Sequence, residues 1–149
     1  MPRKILLISG LIALFLLGYL DKLAFRYHWY YYHTWSDKPM HFLGGIALGL
    51  LGIYVYCLVK KESRLGSWSK KIFLSALLAS LIVGVPWEFF EVKFGRHYSL
   101  DVSVKTVNAI DEGKGDSATD VISDILGSLE AAIIIILINK KFDNEDSRA

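Results

Sequence analysis

The chain has 149 residues, of which 53% are hydrophobic and 13% aromatic, with a mean hydropathy of +0.37. That is too apolar for an ordinary soluble domain, and the length leaves room for a single membrane domain over residues 1–149. Seventeen basic and fifteen acidic residues give a formal net charge of +2, which offers nucleic acid no electrostatic footprint, and one cysteine, Cys57, excludes an internal disulfide.

The expected fold class is all-α: a polytopic four-transmembrane-helix bundle with an aromatic interfacial segment and one long outer loop. Apolar runs place the spans at about 5–20, 40–59, 71–92 and 118–138, each near the length that crosses the hydrocarbon core. "PRK" precedes the first run like a signal peptide, but "GYLDKLAF" follows it without a small-x-small cleavage site, so the run reads as a retained span. Next comes "FRYHWYYYHTW", residues 25–35. As an interfacial aromatic belt it is at least as well explained as by a ligand role for His28 or His33.

The second span opens at "SDKPMHFLGG", where Asp37 suits a helix N-cap with Pro39 in the first turn and equally suits a functional site. Cys57, inside this span, reads as a packed core residue. The third span ends in "PWEFFEVK"; Pro86 lacks an N–H, which predicts a freed carbonyl near Ile82 and a kink just below Glu88. Residues 94–119 follow as the long loop, with strand-like alternation in "SVKTVNAI" and His97 within reach of a site. The last span begins at "GDSATDVISDILG", with Asp116, Asp120 and Asp124 four residues apart on one helix face. Asp116 or Ser117 is expected to cap it. Small residues line one side of each later span: Gly45, Gly49 and Gly52; Ala76, Ser80 and Gly84; Gly127 and Ala131. That spacing lets membrane helices approach closely.

Lysine and arginine cluster at Arg3 and Lys4, in "KKESRLGSWSKK" and at Lys140 and Lys141, so the positive-inside rule puts both termini in the cytoplasm. This topology brings His41, Glu88, Glu91, Asp120 and Asp124 from three helices to one outer-leaflet layer. An ionised carboxylate there costs several kcal/mol unless paired, metal-bound or facing water. One imidazole among carboxylates suits Mg²⁺, Mn²⁺, Ca²⁺ or Zn²⁺. The residues are therefore read as metal ligands (His41, Glu88, Asp120, Asp124), acid–base groups (His41, Glu91) and substrate-binding groups (Asp37, Asp116, His97).

The expected function is divalent-metal-dependent hydrolase or transferase chemistry on a lipid headgroup or a lipid-linked cell-envelope precursor. No "HExxH", serine-hydrolase elbow or lipid-phosphatase motif is present, so the enzyme reading rests on site composition. A proton- or cation-coupled transporter and a noncatalytic lipid- or antibiotic-binding protein remain open. Four spans hold little internal pathway, so a transporter would require a homo-oligomer.

"DKPMHF", "EFFE" and "DVISDILG" resemble, in order and spacing, the D-K-x-x-H-F, E-x-x-Q/E and D-x-x-x-N/D-x-x-G elements of the VanZ-like family of small membrane proteins. "GDSATDVISD" is closer still to a bacterial inner-membrane branch with G-D-x-x-D-x-x-x-D before the last helix. The resemblance covers roughly residues 37–138 and maps onto Asp37, His41, Glu88, Glu91, Asp116, Asp120, Asp124 and Gly127. It implies an inner-membrane, cell-envelope setting. Where VanZ itself tends to carry glutamine and asparagine, this chain has Glu91 and Asp124.

Overall fold

The computed structural model describes residues 2–29, 33–61, 69–94 and 109–146. They form four helices: α1 (Arg3–Arg26), α2 (Asp37–Val59, entered through a 3₁₀ turn at Thr34–Ser36), α3 (Ser69–Phe94) and α4 (Ala109–Asp146). Among the described residues there is no strand. Each helix contains a segment long and apolar enough to cross a bilayer, namely Arg3–Arg26, Asp37–Val59, Lys70–Glu91 and Ser117–Lys141. Helices suit that setting because each satisfies its own backbone N–H and C=O groups without water. The all-α four-span reading therefore holds.

Three expectations need correction. The first helix is longer than its apolar run, reaching Arg26 rather than stopping near residue 20. α4 starts at Ala109, so the final part of the expected 94–119 loop is helical, including the last two residues of "SVKTVNAI". Asp116 and Ser117 consequently sit inside a helix and do not cap it. Asp37 is not a cap either: it is the first residue of α2, and Ser36 occupies the N-cap position without a side-chain hydrogen bond. The long loop's remaining residues, 95–108, including His97, lie outside the described residues.

α2 is the centre of the bundle, packing on α1, α3 and α4, while α3 and α4 also pack on each other. Glycine makes the α2–α4 contact a backbone-to-backbone one. A Cβ at Gly45 would run into the main chain of Asp124, one at Gly127 into the carbonyl of Phe42, and one at Gly49 would lie 2.9 Å from the Cα of Ser128. This is how membrane helices gain contact when the surrounding lipid is as apolar as their own side chains.

Below that contact, Leu6, Leu50, Ile53, Cys57, Ile72, Ala76, Ala131, Ala132 and Ile135 form a buried apolar cluster. Cys57 is packed there as expected. Between this cluster and the polar end of the bundle, Ser80 on α3 donates its hydroxyl to Ser128 on α4 at 3.2 Å. α3 runs as one helix through Pro86 and carries Glu88 beyond it.

Candidate functional site

The first turns of α2, the last turns of α3 and the middle of α4 meet at one end of the bundle. His41 is one turn into α2, so its ring points inward, and it is 8% exposed; Glu88 is 6% exposed, Asp120 3% and Asp124 4%. The i, i+4 spacing from Asp120 to Asp124 puts both carboxylates on the face of α4 that meets α2 and α3. Ile122 and Leu126, on the opposite face, are exposed.

The imidazole divides the acids between its two nitrogens. Nδ1 lies 3.4 Å from Asp124 Oδ2. Nε2 faces Glu88 Oε1 at 3.5 Å, Asp37 Oδ1 at 3.8 Å and Glu91 Oε2 at 3.9 Å. Lys38 Nζ donates to Asp120 Oδ1 at 2.9 Å. Ser117 hydrogen-bonds Glu88. Glu88 Oε1 is nonetheless buried without a hydrogen-bond donor among the described residues. A buried carboxylate oxygen in that state is costly unless a cation occupies the space in front of it.

Asp124 is held in a recess made of missing side chains. A Cβ at Gly84 of α3 would stand 2.6 Å from Asp124 Oδ2, and one at Gly44 of α2 would stand 3.5 Å from Oδ1. The small-residue positions on α2 and α3 thus set helix spacing and also leave room for an acid.

Two sets of ligand atoms lie within 4.8 Å of one another and could hold a metal ion: His41 with Glu88 and Glu91, and His41 with Asp37 and Asp120. Both share the ring of His41. Asp124 approaches the other nitrogen, in the place where metal-binding histidines are commonly oriented by a carboxylate. The structure thus brings together His41, Glu88, Glu91, Asp37, Asp120 and Asp124. Asp116 lies in α4, but its side chain, like His97, is outside the described residues. His33 is exposed and packs on Trp35, ring centroids 5.9 Å apart, and His28 is an exposed residue with φ 55°.

Sequence reasoning passed over Lys38 and Ser117. Lys38 stands inside the quoted "DKPMHF", next to Asp37 and three residues before His41, and that position is the available signal. Ser117, a cap candidate by sequence, instead hydrogen-bonds Glu88.

The chain matches the family described as Predicted membrane protein (DUF2238) over residues 4–141. It belongs to that family. The match spans all four helices, so this member is a multi-pass membrane protein whose buried histidine–carboxylate group lies within the family's own extent. No curated protein and no solved structure matches it.

Proposed function

We propose that this protein binds a divalent cation at the His41 end of the bundle and acts there on the phosphate or ester of a lipid headgroup or lipid-linked envelope precursor. One observation carries the reading. The separations of 3.5 Å from His41 Nε2 to Glu88 Oε1 and 3.9 Å to Glu91 Oε2, two acids that share one ligand set with the ring, are too long for good hydrogen bonds. They suit ligands of one ion, because a nitrogen and an oxygen each about 2.1 Å from a tetrahedral metal lie roughly 3.4 Å apart. Glu88 Oε1, which accepts no hydrogen bond among the described residues, points the same way.

In this reading His41 through Nε2, with Glu88 and Glu91, forms the principal donor set, and Asp37 and Asp120 extend it. Asp124 receives the Nδ1–H and fixes the ring's tautomer and direction. Glu91 is the most accessible acid, its side chain 43% exposed, and can exchange protons with water or with a leaving group. Lys38, one-third exposed beside Asp120, offers a charge to an anionic headgroup. A bound divalent ion would supply Lewis acidity and a more acidic water molecule.

Trp87 and Phe90, exposed and stacked 5.8 Å apart at this end of α3, suit the headgroup region. The basic connection 60–71 at the other end supports an outer-leaflet placement of the site and cytoplasmic termini. The VanZ-like motifs, carried by the same residues, support a setting in the bacterial cell envelope. A relay through one copy is less well supported, because the layer beneath the Ser80–Ser128 hydrogen bond is apolar.

The test uses purified full-length protein in detergent. Elemental analysis should find a divalent metal, and adding it to chelator-treated protein should stabilise the fold by RT ln(1 + [L]/Kd), about 2.7 kcal/mol at a hundredfold excess over Kd. Release of headgroup or phosphate from vesicles of phosphatidylglycerol, phosphatidylethanolamine or a polyprenyl diphosphate should then depend on that metal. If EDTA and added Mg²⁺, Mn²⁺, Ca²⁺ and Zn²⁺ all leave stability unchanged and no metal is found, the metal centre is wrong.

A further inference from the structure

A carboxylate outside the site carries a separate inference. Glu130 lies near the middle of the Ser117–Lys141 segment, ten residues from Asp120 and ten from Lys140, or about 15 Å each way at 1.5 Å per residue. It is exposed on the face of α4 turned away from α2 and α3, and among the described residues nothing pairs with it. A glutamate side chain is too short to reach either headgroup layer from there. Intramembrane acids face lipid only rarely, because hydrocarbon offers no donor to a carboxylate and no acceptor to a carboxylic acid.

The residues around it form a regular seam. Leu126, Glu130, Ile133, Leu137 and Lys140 recur at intervals of four, three, four and three, the 3.5-residue period of a left-handed helix pair. Leu126 is 54% exposed and Leu137 61%. Within the apolar middle of the four helices, Glu130 is the one exposed acidic or basic residue among those described, so no basic group on this surface answers it.

We propose that this face of α4 is a self-association surface on which two copies of the chain pair, Glu130 facing Glu130. Copies inserted with the same orientation and related by a two-fold axis along the membrane normal bring identical residues to the same depth. A carboxyl group can accept a hydrogen bond through its carbonyl oxygen and donate one through its O–H, so a second copy is a complete partner. Leucine and isoleucine on either side then pack into the facing helix. The site at His41 lies on the opposite face of α4, so pairing leaves it open.

The test is energy transfer between donor- and acceptor-labelled full-length chains in phosphatidylcholine–phosphatidylglycerol vesicles, as protein is diluted into lipid. Wild type should show a dilution-dependent dimer. Glu130→Leu should weaken it at least tenfold, whereas Glu130→Gln, which keeps a donor and an acceptor, should retain most of it. In a Cys57→Ala background, Ile133→Cys should cross-link to itself under copper–phenanthroline and Val55→Cys, on the exposed face of α2, should not. All four variants should keep the wild-type helical circular dichroism and melting temperature in detergent, which shows them folded. A chain that is monomeric at every dilution overturns the proposal, as does a dimer indifferent to Glu130→Leu. So does a monomer that associates, through Glu130, only with a different membrane protein in native membranes.

Discussion

Glu88 holds an oxygen inside the bundle that accepts no hydrogen bond from a described group, and this makes it the most informative single position in the molecule. Glu88→Gln removes a buried charge while keeping the shape, so the metal-free protein should gain roughly 1–2 kcal/mol. The same change should abolish the stabilisation by metal, and melting curves with and without chelator read both effects at once. His41→Ala should remove the metal response entirely. Asp124→Asn, which acts through the other ring nitrogen, should weaken metal affinity by about 10–100-fold without abolishing it. Equal loss in both variants would make Asp124 a direct ligand. The acids on α4 were legible in the sequence because a four-residue spacing fixes a helix face whatever the helix packs against. Which acid meets which nitrogen was not legible, since that depends on how α2 and α4 are rotated about their axes. The pairing of Lys38 with Asp120 and of Ser117 with Glu88 was hidden for the same reason.

Among the elements, α2 and α4 are the pair whose separation everything else depends on. Gly45→Ala and Gly127→Ala each place a methyl group against backbone rather than against a movable side chain, and should cost about 1–3 kcal/mol of stability. Gly18→Ala is the control: a Cβ there meets nothing within 4 Å, so the better helix propensity of alanine should make it neutral or mildly stabilising. If thermal melts fail to separate these substitutions, the close approach of α2 and α4 is not what holds the bundle. The four helices were readable from apolar run length alone. The start of α4 was not, because Gly113 and Gly115 among charged residues look like a connection, and glycine's low helix propensity argues against a helix that nevertheless begins at Ala109. Glu130 was absorbed into an apolar run for a related reason: counting hydrophobic residues reports whether a segment can cross, not which way each side chain faces.

For the whole molecule, the arrangement of basic connections predicts that a cysteine introduced at Ser67 is shielded from a membrane-impermeant reagent in intact cells and one introduced at Gly113 is labelled. The reverse result would put the His41 layer on the cytoplasmic side and change the pool of lipids it can meet. α1 has a different standing from the other three helices. Its buried residues are Leu6, Gly10 and Ala24, it leans on α2, and most of its surface faces outward. During synthesis it leaves the ribosome before the other three, yet its docking surface, including Leu51 opposite Gly10, does not exist until α2 has entered the bilayer. Among the four helices, α1 must therefore wait in lipid, held by its own hydrophobicity, while the three later helices assemble the polar layer without it. A chain cut between α1 and α2 should accordingly reassemble when the two pieces are made together, and the larger piece alone should still insert.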